Sequence, residues 1–179
     1  MSQSFGSVRQ VGYVVKDIHA AMQAWASIGV GPWFYREVSP VTEFNYYGSP
    51  SEFPDISIAL ANSGDVQIEL IQQRNDAPSL YRDMLEQGLE GIQHVAYWTE
   101  DRFDEWREIL LAKGFKEGHS GRIGVAGRFA YFVNDRMPHA VIEISEMVGG
   151  KGERFKAIRA AAQNWDGSEP IRPVTMARP

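Results

Sequence analysis

The stretch Gln10-Val-Gly-Tyr-Val-Val-Lys-Asp17 returns later in the chain, with the same spacing, as His94-Val-Ala-Tyr-Trp-Thr-Glu-Asp101. Each copy is followed by an apolar stretch that carries one glutamate, Gln67-Ile-Glu-Leu-Ile71 after the first copy and Val141-Ile-Glu-Ile144 after the second. Two copies of one supersecondary unit can build a site that neither copy makes alone. The repeat therefore directs attention to the polar residues that begin and end the copies.

Hydrophobic periodicity predicts a strand, a helix and further strands in each copy. In the first copy Asp17 is expected to cap the helix and Gly29 to end it, and Asp101 is expected to be the cap of the second helix. The strands predicted in the first copy are Val8–Val15, Trp33–Val38, Thr42–Tyr47, Asp55–Asn62 and Val66–Gln72. The second copy is predicted to hold strand His94–Trp98, helix Arg102–Ala112, and strands Phe115–Gly118, Arg128–Val133 and Ala140–Ser145. We expect an α+β fold of two tandem βαβββ modules.

The modules divide the chain into four parts. Residues 6–73 form the first module, 74–91 a connector with a short helix at Ser79–Gln87, 92–147 the second module, and 148–179 a C-terminal helix and a Pro-rich tail that is extended or disordered. Gln10 precedes Glu69 by 59 positions and His94 precedes Glu143 by 49, so the first copy carries about ten extra residues. This insertion is best placed at Ser39–Pro54, and its aromatic and polar composition favours a loop over a ligand.

Composition excludes several classes of protein. The 179 residues are 44% hydrophobic, which is ample for a core. A net charge of −5 without blocks of Lys and Arg argues against nucleic acid as a partner. The absence of cysteine excludes disulfides and thiolate metal sites, so only oxygen and nitrogen ligands remain. No segment reaches the roughly 20 apolar residues of a membrane span and no signal peptide is evident, so a cytoplasmic location is expected.

The two glutamates interrupt stretches that are otherwise apolar. Because side chains alternate along a strand, Glu69 and Glu143 each stand on the face opposite an apolar stripe. An ionised carboxylate in such a place costs several kcal/mol unless it is paired or bound to a metal. Neither glutamate strand carries Lys or Arg, whereas Gln10 and His94 begin the partner strands at matching positions. We therefore predict one divalent metal ion, zinc, nickel, cobalt, manganese or iron(II), bound by Gln10, Glu69, His94 and Glu143.

The duplicated pattern, the Gln10–Asp17 motif and the strand-borne Ile-Glu of each module resemble the vicinal oxygen chelate superfamily, which is the group of glyoxalase I, methylmalonyl-CoA epimerase, extradiol dioxygenases and bleomycin-resistance proteins. The resemblance covers about Val8 to Met147. It implies paired modules that form a cupped mixed sheet around one metal, with a His or Gln from the first strand and a Glu from the last strand of each module. The order Gln, Glu, His, Glu is similar to that of some glyoxalase I enzymes, whereas epimerases more often have His first.

The resemblance and the ligand set together favour one kind of chemistry. Extradiol dioxygenases use two His and one Glu around iron, and Gln10 stands where the first His would be, so oxygen activation is disfavoured. We expect an isomerase, epimerase or lyase that acts through a metal-stabilised enolate on a small carbonyl compound. The resemblance suggests that Glu69 or Glu143 leaves the metal to act as the base, and it leaves open which of them does so.

Two alternatives stay open. The first is a non-catalytic binding protein that sequesters a hydrophobic small molecule, and the second is a glyoxalase I. The net negative charge offers no evident basic cradle for coenzyme A or glutathione, which disfavours both thiol carriers as substrates. A homodimer is plausible because exposed sheet edges in this family often pair.

Other candidate residues have simpler explanations. His19 and His119 are expected to be exposed to solvent, and so is His139, which follows Pro138 in a turn. A cluster of aromatic residues in the first module could cover an apolar or aromatic substrate, although aromatic residues in strands usually pack in the core. These residues are Trp33, Phe34, Tyr35, Phe44, Tyr46 and Tyr47.

Overall fold

A computed structural model describes residues 3–124 and 127–174, except the side chain of His139. The expectations for His139 and for the end of the tail, 175–179, therefore lie outside the described residues. The helices are α1 (Ile18–Ser27), α2 (Leu80–Glu86), α3 (Phe103–Ala112) and α4 (Lys151–Gln163). The strands are β1 (Gln10–Val14), β2 (Trp33–Arg36), β3 (Val41–Tyr46), β4 (Ser49–Pro50), β5 (Ile56–Ser63), β6 (Val66–Gln73), β7 (Gly91–Thr99), β8 (Lys116–Ile123), β9 (Arg128–Asn134), β10 (Met137–Glu146) and β11 (Ile171–Pro173).

All the strands belong to one mixed sheet in the order β11-β2-β5-β6-β1-β7-β10-β9-β8-β3-β4. The first module contributes β2-β5-β6-β1 and the second contributes β7-β10-β9-β8. Corresponding strands of the two modules therefore lie at equal distances on either side of the central β1–β7 pair. Within each module the first strand runs parallel to the last one, and β1 and β7 join the modules by antiparallel pairing. The predicted α+β fold of two tandem βαβββ modules in a curved sheet is confirmed.

The insertion at Ser39–Pro54 is not a loop over a ligand, which corrects that expectation, whereas the strand predicted within it at Thr42–Tyr47 is present as β3. Its strand β3 pairs with β8 of the second module, and β4 extends that edge by a short hairpin. Only residues 37–40 link β2 to β3, although these strands lie near opposite ends of the sheet order. Five Cα steps span at most roughly 18 Å. The sheet must therefore curve until its two ends approach each other, which makes a deep cup.

Helices α1 and α3 cover the outer face of the cup. Ile18 and Met22 of α1 pack on Ile68 and Leu70, the apolar stripe predicted for β6. Phe103, Trp106 and Leu110 of α3 pack on Phe132 and Ile144 in the equivalent place in the second module. Burial of these two apolar interfaces holds the helices on the outer face of the sheet.

The caps of these two helices differ. The carboxylate of Asp17 accepts a hydrogen bond from the Ala20 amide, as the sequence predicts. The prediction for Asp101 is wrong, because the hydroxyl of Thr99 accepts from the amides of both Asp101 and Arg102. These bonds stabilise the turn before the helix, whose N-cap Arg102 makes no side-chain capping bond, and α3 begins at Phe103, one residue after the predicted start.

The segments outside the repeat close the cup. Helix α2 confirms the predicted connector helix, and the hydroxyl of Ser79 caps it by accepting from the Arg82 amide. Helix α4 lies against β5, and the tail then runs back as strand β11 beside β2. The connector and the C-terminal segment are therefore part of the walls of the cavity. No helix in the described part of the chain combines the length and the hydropathy that crossing a bilayer requires.

The close approach of β3 to β8 generates a prediction. A Cβ atom on Gly121 would clash with the carbonyl oxygen of Glu43 and would lie 2.9 Å from the ring of Phe129. We expect Gly121→Val to lower the free energy of unfolding by about 1–3 kcal/mol, as overpacking does, and to increase hydrogen exchange in β3. Urea unfolding and exchange measured by mass spectrometry check this. The control Ser49→Val, at an exposed position of the neighbouring strand β4, should change stability by less than about 0.5 kcal/mol.

Candidate metal centre

The register of the sheet gathers the four predicted ligands on its concave face. Gln10 lies opposite Gln67, two residues before Glu69 on the same strand. His94 lies opposite Val141, two residues before Glu143. Gln10 and His94 thus hold equivalent positions in the two modules, and so do the two glutamates. The β1–β7 pairing places Gly12 opposite His94 and brings the four residues to one region of the sheet.

Three of the four side chains meet at the floor of the cup. Nε2 of His94 lies 3.1 Å from Oε2 of Glu143 and 3.4 Å from Oε2 of Glu69. Separations of about 3–4 Å are those expected between ligand atoms bound to one ion at 2.0–2.2 Å. The relative exposures of His94, Glu143 and Glu69 are 1%, 4% and 8%. Glu69, His94 and Glu143 therefore form a buried group that could hold a metal ion.

Gln10 lies on the wall of the same cavity. Its amide nitrogen donates a 2.8 Å hydrogen bond to the side-chain oxygen of Gln67, which is fully buried. This bond fixes the orientation of the amide and leaves its oxygen as the group that a ligand can use. Gln10 is thus placed as a neutral oxygen donor beside the three ionisable groups.

Gly12 makes room for the imidazole of His94. A Cβ atom at this position would overlap three ring atoms of His94, Cε1, Nε2 and Nδ1. The ring therefore lies directly over the backbone of β1, and only glycine permits this approach. The glycine of the first repeat motif, which looked like part of the strand pattern, is required by the site of the second module.

The orientation of the His94 ring is set by its neighbour in the chain. The side-chain oxygen of Gln93 lies 2.7 Å from Nδ1 of His94, and because an amide oxygen can only accept, Nδ1 carries the proton. In the neutral ring Nε2 then presents a lone pair to the two carboxylates. Such an arrangement is favourable only if Nε2 is protonated or if a cation lies among the three groups.

The electrostatics of the cluster without a metal follow from this geometry. Burial lowers the pKa of His94, but the hydrogen bonds and charges of Glu143 and Glu69 outweigh burial and raise the pKa to about 9. Burial raises the pKa of Glu69. At Glu143 the hydrogen bond from His94 and the charges of His94 and Lys151 outweigh burial, so its pKa is lowered. The cluster accommodates its two carboxylates only with positive charge close by.

A cavity of about 120 Å³ opens above the cluster. This is several times the roughly 15 Å³ that one water molecule needs, so the cavity admits a ligand of several heavy atoms. Gln10, Glu69 and Glu143 line its polar side, and aliphatic and aromatic side chains line most of the rest. A small molecule in this cavity would contact the carboxylates and an apolar wall at the same time.

The aromatic lining differs from the sequence expectation. Of the six aromatic residues singled out in the first module, Phe34 lines the cavity, whereas Trp33 is fully buried in the core beneath α1. The connector, the second module and the C-terminal helix supply the other aromatic walls, Tyr81, Phe129, Tyr131 and Phe155. Composition identified aromatic residues, but the topology decided which of them face the ligand.

Sequence reasoning missed two residues near the cluster, the half-buried Lys151 and the buried His119. Lys151, at the start of α4, donates a hydrogen bond of 2.5 Å to Ser145 and lies close enough to Glu143 and Glu69 for its charge to influence both. His119 was expected to be exposed, yet it is 1% exposed, and its Nδ1 accepts from the Leu80 amide. Burial lowers the pKa of His119 to about 3, so the ring is neutral. Neither residue belongs to the repeat signal, so the pattern could not find them.

The sequence places the chain in a known family. Residues 9–132, more than half of the chain, match the model of the Glyoxalase/Bleomycin resistance protein/Dioxygenase superfamily. The chain belongs to this superfamily, which confirms the resemblance to the vicinal oxygen chelate group. A comparison with curated protein sequences gives no match.

Solved structures support the same fold. Methylmalonyl-CoA epimerase from Mycobacterium tuberculosis is 18% identical with a TM-score of 0.60, over 86% of this chain and 96% of the epimerase. A Streptomyces coelicolor methylmalonyl-CoA epimerase variant in complex with 2-nitronate-propionyl-CoA is 15% identical with a TM-score of 0.53, over 80% and 95% of the two chains. A hypothetical protein from Bacillus halodurans is 15% identical with a TM-score of 0.56, over 79% and 94%. At these identities the likeness concerns the fold.

The pKa of His94 gives a prediction for the metal-free protein. A raised pKa means that the folded state holds this proton more tightly than the unfolded chain, whose histidine has a pKa near 6.5. The resulting stabilisation is complete below about pH 6.5 and is lost as the pH rises through about 9. We expect NMR titration to show His94 protonated at pH 7.5, with His119 neutral. A His94 ring that titrates at or below pH 6.5 would contradict the geometry of the cluster.

Proposed function

We propose that the protein is a divalent-metal-dependent isomerase, epimerase or lyase that moves a proton beside the carbonyl group of a small molecule. The metal would be held by Glu69, His94 and Glu143, with the amide oxygen of Gln10 as the fourth ligand. Its identity among zinc, nickel, cobalt, manganese and iron(II) is left open, because two carboxylates, an imidazole and an amide oxygen suit all of them.

One observation carries this proposal. Nε2 of His94 and Oε2 of Glu143 are buried and face each other across 3.1 Å, and neither atom has another hydrogen-bond partner among the described residues. Buried polar atoms are otherwise almost always satisfied, so a pair of unsatisfied atoms that face one another needs an explanation. A cation among the three groups satisfies all of them while His94 is neutral, whereas without a cation the cluster needs an additional proton on Nε2 of His94.

The reaction class follows from the same residues. When bound, a divalent metal supplies Lewis acidity, which stabilises negative charge on a substrate oxygen without a change of oxidation state. Glu69 and Glu143 are the groups placed to take and return a proton in this cavity, and Gln93 holds the ring of His94 in place. The apolar wall excludes water from the exchanged proton. Gln10 in the place of a second histidine argues against oxygen activation.

Metal content tests the first half of the proposal. We expect the purified protein to hold about one divalent ion per chain, and we expect Glu69→Ala and His94→Ala to lose it, as measured by elemental analysis. His19→Ala is the matched control, because His19 packs its ring on Tyr35 away from the cluster, and it should retain the metal. A folded wild-type protein that is free of metal and cannot be loaded would rule the enzyme out.

Gly12→Ala tests the geometry while all four ligands are present. The added methyl group displaces the ring of His94, so we expect the metal affinity to fall by at least tenfold, measured with a chelator competition assay. Unchanged affinity would show that His94 is not a ligand.

Proton exchange tests the second half. We expect one or more small carbonyl compounds to incorporate deuterium from deuterated water in the presence of the metal-loaded protein, followed by NMR. Replacing the base by glutamine should slow this exchange by about 10²–10⁴-fold, so Glu69→Gln and Glu143→Gln identify which carboxylate acts. Both variants retain an oxygen ligand, and their metal content is measured alongside as the control.

The same experiment separates the rival functions. A non-catalytic binding protein would bind compounds without exchange, with affinities that neither Glu143→Gln nor removal of the metal changes. Glyoxalase I activity is assayed directly with methylglyoxal and glutathione. The partner is in either case a small molecule, and a cytoplasmic location stays a prediction.

A homodimer also stays a proposal. Tyr47, Leu89 and Ile92 are exposed apolar residues along one groove, which the first module, the connector and the second module line together. Light scattering during size-exclusion chromatography measures the mass in solution, and a mass near 20.1 kDa would identify a monomer.

A further inference from the structure

One side of the cavity carries positive charge that the cluster does not use. Arg36 at the end of β2 and Arg154 on α4 both line the cavity, together with Lys151. Lys151 interacts with Ser145 and with the two glutamates, so its charge is accounted for. The sequence suggested no basic cradle, because Arg36 and Arg154 lie far apart in the chain and only the fold brings them together.

The described residues provide no hydrogen-bond or ion-pair partner for either guanidinium group. Among the described residues, no hydrogen bond or ion pair is formed by the side chain of Arg36 or Arg154, and Nε of Arg36 is buried and unsatisfied. This is unusual in this protein. Most of its described arginines are paired with carboxylates, namely Arg74, Arg82, Arg102, Arg107, Arg122, Arg128 and Arg159.

The two arginines line one cavity and are near enough for the charge of one to influence the other. Burial lowers the pKa of Arg36, and the positive charge of Arg154 lowers it further. Two like charges that converge on one cavity without an acid between them destabilise the empty protein. An anion that accepts hydrogen bonds from both groups removes the repulsion and satisfies the buried Nε, and planar guanidinium groups suit carboxylate and phosphate geometry.

Arg36 and Arg154 line the same cavity as the candidate metal centre, and apolar residues line the cavity between the two arginines and the metal centre. Arg36 lies opposite Ile58, and Ile58 lies opposite Ile71, two residues from Glu69 on the same strand. Two strand spacings and two residues separate the Cα atoms of Arg36 and Glu69 by roughly 12 Å. The guanidinium of Arg36 and the carboxylate of Glu69 are closer together than their Cα atoms, because both side chains extend into the cavity. Phe34, Ile58 and Leu60 line the space between these two groups. One molecule of several heavy atoms reaches both ends.

We propose that Arg36 and Arg154 form an anion-binding subsite and that the substrate is an acidic carbonyl compound, with its carboxylate at the two arginines and its reacting carbonyl at the Glu69, His94 and Glu143 cluster. The assignment of the carbonyl end rests on the proposed function, whereas the anion subsite rests on the two arginines alone. Phosphate shares the chemistry of the carboxylate at such a subsite, so the experiment includes both anions.

Calorimetric titration of the metal-free protein tests the subsite without the metal. The probes are benzoate, its neutral isostere benzamide, and inorganic phosphate. We expect benzoate to bind at least tenfold more tightly than benzamide. Arg36→Gln and Arg154→Gln should each weaken benzoate binding about tenfold and leave benzamide unchanged. Arg36→Lys retains the charge and should recover part of the affinity. Inorganic phosphate is then titrated in competition with benzoate. If the affinity for phosphate is at least tenfold higher than the affinity for benzoate, the subsite binds a phosphate group, and the assignment to a carboxylate is overturned.

Two variants serve as matched controls for the lost charge. Lys156→Gln removes a cation from the same helix as Arg154, and Arg172→Gln removes one from β11, the strand beside Arg36. Neither residue lines the cavity, and both variants should bind benzoate as the wild type does. Thermal unfolding of every variant confirms that it is folded.

Two further outcomes would overturn the proposal of an anion subsite itself. One is equal binding of benzoate and benzamide by the wild type, and the other is unchanged benzoate binding in folded Arg36→Gln and Arg154→Gln. These outcomes are distinguishable from a failure of the proposed function. If the protein holds one metal ion but does not prefer benzoate to benzamide, only the proposed anion subsite is wrong. If it prefers benzoate but cannot hold a metal ion, the anion subsite stands and the proposed enzymatic function is wrong.

Discussion

The arrangement of this protein depends on two carboxylates and one imidazole that share a buried space at the centre of the sheet. Glu69 and Glu143 come from the last strands of the two modules, and His94 comes from the strand that joins the modules. Burying two like charges is costly in any protein interior. The surrounding structure accommodates them with the ring of His94, with Lys151 from the C-terminal helix and with the glycine that lets the ring approach.

The cost of burying two carboxylates also explains why the two modules carry different residues, Gln10 and His94, at equivalent positions. The positions of Gln10 and His94 are equivalent, but a second histidine at Gln10 would change both the charge and the donor set of the cluster. Gln10 is neutral and is oriented by Gln67, whereas His94 is oriented by Gln93 and carries the positive charge when no metal is bound. Duplication produces the paired strands, and divergence at this one position produces an asymmetric site.

The segments outside the repeat decide the shape and the charge of the cavity. The insertion crosses to the far edge of the sheet as β3 and curves the sheet into a cup. The connector brings Tyr81 to the cavity, and the C-terminal helix brings Lys151 and Arg154. In a superfamily whose fold serves many reactions, such additions distinguish one member from another, since fold alone does not imply function.

The sequence by itself determined the modules, most helix and strand positions, and the candidate ligands. Alternation along β6 and β10 sets Glu69 and Glu143 against apolar stripes, and equal spacing of the motifs identifies Gln10 and His94 as equivalent. These are local patterns, which the chain carries in the order of its residues. Only the tertiary structure decided that the strand of the insertion pairs with β8 of the second module, that His119 is buried, that Gly12 makes room for His94, and that Arg36 and Arg154 share one cavity. Each of these facts depends on contacts between residues far apart in the chain, and such contacts leave no periodic signal in the sequence.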